Sequence, residues 1–257
     1  MITSVSNQKI KNVIRLKKST QMRRKQHCFI VEGPRMFFEV PVSALREVYI
    51  TEEFEKKYKD RLSGTEYELV SETVCRHLSD TTTPQGVVAV VDQPRTSAEL
   101  IIKGEGQPCI ILLESIQDPG NLGTILRTAE ACGVSGVITS KDTVDPFHPK
   151  VVRSTMGAVF RVPFHVAEDF HGMIRRLKEE GYDVYAAHLD GQVFYDADYK
   201  RPCAFVIGNE GNGLTAETTA LCDRRIRIPM QGKVESLNAS VAASLIMYEV
   251  FRQRRSW

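Results

Sequence analysis

Apolar positions in the first part of the chain follow short, mixed helix and strand patterns. Residues 9–26 have apolar side chains at helical spacing between basic ones, which predicts a single basic helix. Short apolar runs rich in β-branched residues, bounded by turn residues, predict strands. These strands lie at 28–31, 48–51, 67–70 and 86–91, and helices are predicted at 35–40 and 52–62 and after Ser71. A compact α/β unit over residues 1–92 is therefore expected.

The second part alternates regularly between apolar runs and amphipathic segments. The run 109–113 is continuously apolar, as in a strand covered on both faces of a sheet. Further strands are predicted at 137–139, 159–164, 184–187, 204–207 and 225–228, with helices at 119–132, 149–156, 169–180, 215–221 and 238–254. This alternation predicts a mostly parallel sheet over 109–257, with ligands at the carboxyl ends of its strands. Proline and glycine bracket residues 93–108, which predicts a linker.

Composition limits the function classes. The 257 residues are 42% hydrophobic and 26% charged, as in ordinary globular proteins. No apolar run approaches the roughly 18 residues of a membrane span, and the N-terminus lacks a signal-like apolar segment, so a cytoplasmic protein is expected. The cysteines have no Cys-x-x-Cys spacing, which argues against a zinc site and a disulfide framework and favours small buried residues. They are Cys28, Cys75, Cys109, Cys132, Cys203 and Cys222.

Basic residues are concentrated near the N-terminus. The net charge of +2 says little, but no acidic residue precedes Glu32. A solvated helix face would explain a basic run, whereas the complete absence of acids favours contact with RNA or DNA. The candidate RNA-binding residues are Lys9, Lys11, Arg15, Lys17, Lys18, Arg23, Arg24 and Lys25.

The first of three polar, glycine-containing segments opens the helix predicted from Pro119. Asp118 is a suitable N-cap, and proline suits the first turn. Two glycines and Arg127 are expected on one face, where a ligand can approach closely and the guanidinium can bind a phosphate or a developing oxyanion. The alternative is a surface ion pair between Arg127 and Glu130. The expected buried face consists of Leu122, Ile125, Leu126 and Ala129.

The second segment, 208–213, follows an apolar strand and reads Gly-Asn-Glu-Gly-Asn-Gly. Such a loop exposes backbone amides and can hold a polar ligand. It is neither G-x-G-x-x-G nor a Walker A loop, so dinucleotide and phosphate-loop interpretations are poorly supported. Glu210 would repel a phosphate but would suit a cationic ligand such as a sulfonium, or a ligand amine or hydroxyl. The alternative is a glycine-rich turn with a solvated glutamate.

The third segment runs from Ile228 to Ser240 and joins the last predicted strand to the terminal helix. Ser236 is expected to cap that helix. Capping does not explain Asn238, because asparagine is unfavourable inside a helix. Asn238 and Ser240 are therefore expected to present polar groups near the helix N-terminus, where backbone donors also point outward.

Together the three segments resemble the signature motifs of the SpoU/TrmH family of RNA ribose 2′-O-methyltransferases, of the SPOUT class. The resemblance covers residues 109–257, and residues 1–92 resemble more weakly the small ribosomal-protein-like substrate-binding domain of some members. The matching residues are Asn121, Gly123, Arg127 and Ala129; Ile207, Gly208, Glu210 and Gly213; and Ile228, Pro229, Met230, Ser236, Leu237, Asn238 and Ser240.

The resemblance implies an α/β fold whose mostly parallel sheet carries a deep trefoil knot. It also implies S-adenosylmethionine as cofactor, no metal, and a homodimer formed through the C-terminal domain. Cofactor contacts are implied at Gly208, Ile228 and Leu237, largely through backbone groups. The catalytic positions implied are Asn121, Arg127, Glu210, Ser236 and Asn238.

Methyl transfer to a ribose hydroxyl depends mainly on alignment and electrostatics. Arginine stays protonated in proteins, so we expect Arg127 to stabilise the developing alkoxide rather than act as a base. Ribosomal RNA is favoured as substrate over transfer RNA, because a separate basic domain suits a large folded target. The alternatives are a transfer-RNA ribose methyltransferase, an inactive RNA-binding or assembly protein of the same fold, and a nucleotide-dependent Rossmann enzyme.

Overall fold

The computed structural model describes residues 1–94, 96–104 and 106–255; Arg95 and Glu105 of the predicted linker lie outside the described residues, as do Ser256 and Trp257. The α-helices are α1 Gln8–Lys18, α2 Thr20–Gln26, α3 Pro34–Phe37, α4 Glu52–Tyr58, α5 Glu72–Leu78, α6 Ala98–Ile102, α7 Pro119–Ala131, α8 Pro149–Thr155, α9 Phe170–Glu179, α10 Ala216–Leu221 and α11 Ala239–Arg254. The strands are β1 Cys28–Glu32, β2 Leu45–Ile50, β3 Glu68–Leu69, β4 Val87–Asp92, β5 Cys109–Leu113, β6 Gly136–Ser140, β7 Phe164–Ala167, β8 Asp183–Val193, β9 Cys203–Ile207 and β10 Arg224–Arg227.

Contacts divide the chain into two compact units. Unit 1 is Met1–Pro94 with Asp145–Phe160, and unit 2 is Arg95–Val144 with Arg161–Trp257. The division differs from the predicted domains in the segment 145–160, which the sequence pattern had placed within 109–257. This segment contains α8, and Phe147 and Phe160 pack their rings against Phe29 of β1.

Unit 1 contains a four-stranded sheet in the order β1-β4-β2-β3. β4 is antiparallel to β1 and β2, and β3 runs parallel to β2. The core forms where α1 and α5 bury their apolar stripes on the valine-rich strand β4. Its members include Ile10, Val13, Leu16, Ile30, Tyr49, Val74, Leu78, Val88 and Val90.

The predicted single helix over 9–26 is wrong, because the chain forms two helices that are separated at Ser19. Ser19 has an extended backbone (φ −125°, ψ 112°), and its side chain accepts a hydrogen bond from the Met22 amide as the N-cap of α2. Serine competes for backbone donors in this way, which ends one helix and starts the next.

Unit 2 is built on a six-stranded sheet in the order β10-β8-β9-β5-β6-β7. Every neighbouring pair is parallel, so the predicted α/β class with a mostly parallel sheet is confirmed. β5 and β9 are fully buried, as the continuous apolar run of β5 predicts. The carboxyl ends of parallel strands meet at one edge of a sheet, so the loops after β5, β8, β9 and β10 open on the same side.

Two helices begin among these loops. α7 starts as predicted, with Asp118 as N-cap and Pro119 in the first turn, and its predicted apolar face is buried. α11 starts differently. Its N-cap is Asn238, whose side chain accepts from the amides of Ser240 and Val241, so the prediction that Ser236 caps this helix is wrong. Asn238 is thus outside the helix interior, where asparagine is unfavourable.

The predicted strand 159–164 is also wrong, since β7 begins only at Phe164. Met156 and Gly157 take left-handed conformations (φ 54° and 99°), and a 3-10 helix follows at Ala158–Phe160. Pro163 has no amide hydrogen, and its carbonyl accepts the first ladder bond from Val137. The apolar residues 158–160 are therefore buried in a turn of 3-10 helix instead of a strand.

Candidate active site

The carboxylate of Glu210 holds the loop that precedes α7. Oε2 accepts a hydrogen bond from the Gln117 amide at 3.1 Å, and Oε1 accepts one from the Asp118 amide at 3.1 Å. Oε1 also accepts from the Asn121 side-chain Nδ2 at 2.9 Å. The second polar segment therefore binds the first segment through three donors on one carboxylate.

The contact continues from Asn121 to the third segment. Asn121 Oδ1 accepts from Asn238 Nδ2 at 2.9 Å. Asn238 Oδ1 in turn accepts from the Ser240 amide at 2.9 Å and from Ser240 Oγ at 2.6 Å. A continuous hydrogen-bond chain, Glu210–Asn121–Asn238–Ser240, thus joins all three segments. Because both side-chain amides donate at one end and accept at the other, the orientation of each is fixed by its neighbours.

These donors determine the charge of Glu210. Removal of water from the carboxylate would by itself raise its pKa, but the bonds from Asn121 and from backbone amides outweigh this, and the pKa is lowered from 4.5. Glu210 is therefore ionised near neutral pH, and its lone pairs are directed at fixed donors. Such a carboxylate is suited to positioning and to attracting a cation rather than to accepting a proton.

The loop 208–213 closes on itself tightly. Asn209 and Gly213 exchange two backbone hydrogen bonds, at 3.0 and 2.9 Å. The Asn209 side chain accepts from the amides of Gly211 and Asn212. A Cβ added at Gly208 would lie 2.2 Å from the carbonyl carbon of Gly213 and 2.3 Å from the amide nitrogen of Leu214. Only glycine fits position 208, because the two ends of the loop meet there.

A cavity of about 350 Å³ opens beside this loop, within the size range of small-ligand sites. Backbone-rich segments from β8, β9 and β10 and the first turns of α11 form its walls. Of the predicted site residues, it is lined by Gly208, Glu210, Ile228, Ser236 and Leu237. Met230 of the third segment also lines it, as do Ala187, His188, Leu189, Glu235, Ala242 and Ile246, which the sequence did not single out. Residues 187–189 lie within β8 and residue 230 follows β10, positions that can be inferred once the strand order is known.

Arg127 lies apart from this network. It is exposed on α7 and, in the part of the chain that the structure describes, makes no hydrogen bond or ion pair. The alternative pairing with Glu130 does not occur, since Glu130 pairs with Arg161 instead. The structure thus brings Asn121, Glu210 and Asn238 together directly and leaves Arg127 available to a ligand.

A second carboxylate supports the loop from behind, and sequence reasoning missed it. Glu114 directly follows β5, is buried, and accepts from the Thr215 amide and the Thr215 hydroxyl, both at 2.9 Å. It also accepts from the Thr218 hydroxyl. Asn209 adds a bond from Nδ2 to the carbonyl of Ser115, a residue with a left-handed φ of 55°. A buried acid directly after a central strand was the available signal.

Two of the predicted RNA-binding residues have structural roles. Arg23 is 1% exposed; its Nε donates to Asp145 at 2.8 Å, and its Nη1 donates to the carbonyls of Leu16 and Lys17. Lys17 is 8% exposed and is bound to the Leu78 carbonyl and to Asp80. Arg23 therefore cannot contact RNA in this conformation, and that prediction is corrected. The other basic residues of the stretch are exposed.

The described residues contain no group of three or more His, Cys, Asp or Glu side chains placed to hold a metal ion. None of the described helices is long and apolar enough to cross a membrane. All six cysteines are free thiols, and Cys28, Cys75, Cys109 and Cys203 are buried as small apolar residues, as predicted.

Two family models match the chain. The model of the SpoU rRNA Methylase family matches residues 108–248, and the model of the MRM3-like substrate binding domain matches residues 7–89. Among curated proteins, the chain is similar to the 23S rRNA (guanosine(2553)-2′-O)-methyltransferase RlmP of Bacillus subtilis, with 32% identity over 97% of this chain and 98% of RlmP. It is also similar to the 23S rRNA (guanosine-2′-O-)-methyltransferase RlmB of Bordetella pertussis, with 38% identity over 66% of this chain and 71% of RlmB.

Solved structures give the same result. An AdoMet-bound rRNA methyltransferase from Sinorhizobium meliloti matches with a TM-score of 0.85 and 32% identity over 99% of this chain and 98% of that one. The SpoU methyltransferase AviRb from Streptomyces viridochromogenes, solved in complex with the cofactor AdoMet, matches with a TM-score of 0.86 and 28% identity over 96% of this chain and 98% of AviRb. The chain belongs to the SpoU rRNA methylase family and carries an N-terminal MRM3-like substrate-binding domain.

Proposed function

We propose that this chain transfers a methyl group from S-adenosylmethionine to a ribose 2′-hydroxyl in ribosomal RNA. The observation that carries the proposal is the hydrogen-bond chain Glu210–Asn121–Asn238, which fixes three loops beside one cavity. Fixed polar groups around a cleft suit a reaction that depends on alignment. Membership of the SpoU family and the names of RlmP and RlmB support the reaction and favour ribosomal RNA as the substrate.

The residues present fit the cofactor. The cavity is bounded by glycine and backbone groups at 208–213, and no side chain could be added at Gly208 without a clash. Two carboxylates, Glu210 and Glu235, line it together with one cation, Arg227, and this excess of negative charge favours a positively charged ligand over a phosphate. Gly208, Ile228 and Leu237 would hold the cofactor through backbone and apolar contacts. When bound, S-adenosylmethionine supplies a methyl group on a positively charged sulfur.

The chain itself contributes alignment and charge. Asn121 and Asn238 hold the first turns of α7 and α11 at fixed positions beside the loop 208–213. Arg127, exposed and without a partner in the described residues, would contact the RNA and stabilise the alkoxide that forms as the hydroxyl loses its proton. The guanidinium stays protonated and the acceptors of Glu210 are already engaged, so the proton of the hydroxyl is released to solvent water as the oxygen–methyl bond forms and the sulfur–methyl bond breaks. Ser236 lines the cavity and would assist in orienting the substrate.

The reaction is tested by transfer of a tritiated methyl group to purified ribosomal RNA and, in parallel, to transfer RNA. Ribose methylation blocks alkaline cleavage at the modified nucleotide, so the label should be recovered in an alkali-resistant dinucleotide. Label on transfer RNA alone would reverse the choice of substrate. If the cofactor binds but neither RNA is labelled, the chain is an inactive binding protein and the proposal is wrong.

Exposed cations at the N-terminus are proposed to contact the RNA backbone. Phosphate contacts of this kind position a substrate without reading its sequence. Lys9 is exposed but paired with Glu68, so it contributes less than the others. The remaining exposed residues of the predicted set are Lys11, Arg15, Lys18, Arg24 and Lys25.

We also propose that two copies associate through α11 in unit 2. The helix buries one face against α7, where Ser244 Oγ donates to Thr128 Oγ1 at 3.2 Å. Its other face exposes Val241, Leu245 and Tyr248, which are 46%, 39% and 52% exposed. The spacing of four and then three residues puts all three side chains on one stripe, which a second copy could cover.

The association is tested by sedimentation of the double variant Val241→Glu/Leu245→Glu. This variant should sediment as a monomer, while Val42→Glu, at another exposed apolar position, should leave the dimer intact. A wild-type monomer at micromolar concentration would contradict the proposal. The knot implied by the family resemblance and a cytoplasmic location, where ribosomal RNA would be met, stay predictions.

A further inference from the structure

A second cleft lies wholly within unit 1 and has a volume of about 400 Å³. It is lined by residues from stretches that are far apart in sequence: α1, the end of α5, and the segment 145–160; its cations come from α1 and α8. The charged lining residues are Lys17, Lys18, Asp80, Lys150 and Arg153, together with His77 and His148. Four cations and one carboxylate give the cleft a formal charge of +3 with neutral histidines, although the whole chain carries only +2.

Asp80, the single carboxylate that lines the cleft, already has cationic partners. Asp80 Oδ1 lies 2.7 Å from Lys17 Nζ, which also donates to the Leu78 carbonyl. Asp80 Oδ2 lies 3.8 Å from Arg153 Nη1, an ion pair that is too long for a hydrogen bond. Within the described residues, Arg153 Nη1 is buried and has no hydrogen-bond partner. A buried donor without an acceptor is costly, which indicates that an acceptor is missing from this cleft.

We propose that the cleft binds a backbone phosphodiester of the RNA substrate, with Arg153 as the central donor and Lys18 and Lys150 at its rim. The phosphate oxygens supply the acceptor that Arg153 lacks, and the planar guanidinium suits them geometrically. Lys18 and Lys150 are exposed, so their charges can reach a phosphate without first leaving a buried position. Lys17 remains bound to Asp80, so it contributes only the electrostatic attraction of its positive charge.

The inference rests on the proposed function, because RNA is the polyanion that the family's reaction requires. The cleft combines both matched regions of the sequence: residues 17–80 lie within the match to the substrate-binding model, and residues 148–153 within the match to the SpoU model. The segment 145–160 nevertheless folds as part of unit 1. RNA binding therefore depends on residues that the family models place in the methylase region.

The test measures the affinity of the full-length protein for protein-free ribosomal RNA at several salt concentrations. Lys18→Gln/Lys150→Gln should raise the RNA dissociation constant more than about tenfold at 0.1 M salt and reduce the salt slope by about one to two phosphate contacts. Arg153→Gln should have a comparable effect on RNA binding. Calorimetric binding of S-adenosylmethionine should be unchanged in every variant that keeps the wild-type melting temperature.

The charge-matched control is Lys56→Gln/Lys59→Gln, which removes two exposed cations from another part of unit 1. If the control weakens RNA binding as much as the cleft variants do, only bulk charge matters and this inference is overturned. It is also overturned if inorganic phosphate stabilises the wild type but the cleft variants bind RNA normally, since the site then holds a free anion. Absence of methyl transfer by the wild type, with RNA binding intact and sensitive to the cleft variants, would instead overturn the proposed function alone.

Discussion

The two candidate ligand sites of this chain are built in different ways. The cavity in unit 2 lies beside backbone and side-chain amides that surround Glu210, and the polar atoms of Glu210, Asn121 and Asn238 have fixed partners. The cleft in unit 1 is formed by cations around Asp80, and one buried donor, Arg153 Nη1, has no hydrogen-bond partner among the described residues. A site for in-line chemistry requires geometry that exists before binding. A site for a phosphate backbone requires mainly positive charge, which tolerates less precise placement.

The cations of unit 1 are themselves of two kinds, and replacing Arg23 should separate them most strongly. Its guanidinium is 1% exposed and bonded to Asp145, which connects α2 to the segment 145–160. Arg23→Gln leaves the nearly buried carboxylate of Asp145, which is 10% exposed, without its partner and should lower the free energy of unfolding by about 3–5 kcal/mol. Urea unfolding measures this loss.

Lys9→Gln is the matched comparison, because it removes the cation of an exposed pair in the same unit. It should leave the free energy of unfolding nearly unchanged, since solvent screens such pairs. Equal losses in the two variants would mean that the buried and exposed cations of this stretch do not differ in role.

Arg127 tests whether the fixed network of unit 2 is sufficient for catalysis. Arg127→Ala should lower the turnover number about 10²- to 10³-fold at saturating RNA and cofactor, the usual effect of removing one donor to a developing oxyanion. The dissociation constant for S-adenosylmethionine should stay the same, because Arg127 does not line the cavity. Arg175→Ala, another exposed arginine of unit 2, is the control. Near-normal turnover of Arg127→Ala would remove it from the mechanism.

The comparison also explains what could be predicted from the sequence. The unit 2 site was predictable because each of its polar segments comes after a strand of the predicted sheet, and parallel strands bring their carboxyl ends together. The chain Glu210–Asn121–Asn238 was expected as three neighbouring positions, but its direct hydrogen bonds depend on side-chain geometry that spacing does not encode. The cap of α11 was misplaced because Ser236 and Asn238 are both good N-caps, and only tertiary contact with Asn121 selects Asn238.

The unit 1 cleft could not have been predicted in the same way. Lys18 and Arg153 are 135 positions apart in sequence and meet only because the segment 145–160 packs on β1. The sequence pattern assigned the segment 145–160 to the second domain because it lies between two strands of the parallel sheet. No local pattern indicates that it packs on β1 of unit 1. Burial of Arg23 was hidden for a similar reason, since its acceptor Asp145 is 122 residues away.

The tight loop of unit 2 gives an effect of intermediate size. Gly208→Ala places a methyl group against the backbone of Gly213 and Leu214. The substitution should lower the free energy of unfolding by about 1–3 kcal/mol. We expect the dissociation constant for S-adenosylmethionine to rise about tenfold to a hundredfold, measured by calorimetry. Gly211→Ala in the same loop is the control. Its added Cβ would have only one near neighbour, the Asn209 side-chain oxygen at 3.5 Å, which is an ordinary van der Waals distance. Equal weakening by both variants would mean that the loop tolerates no change, rather than that position 208 is special.

The smallest expected effect concerns the charge of Glu210. Glu210→Gln replaces one acceptor oxygen by a donor that faces the donors of Gln117, Asp118 or Asn121, and should lower turnover about tenfold. The lowered pKa of Glu210 means that the folded state binds the ionised form more strongly than the unfolded state does. Its stabilisation is therefore fully present above its ordinary pKa of 4.5 and is lost as the pH falls through the lower folded value.

The difference in melting temperature between the wild type and Glu210→Gln should accordingly be constant from pH 7 to about 5 and narrow below that range. Glu179→Gln, an exposed acid elsewhere in unit 2, should show no comparable difference at any of these pH values. A difference that is unchanged well below pH 4 would mean that Glu210 contributes through its shape and not through its charge. In that case the cavity would lose its main electrostatic preference for a cationic cofactor, and the contrast with the cationic cleft of unit 1 would rest on geometry alone.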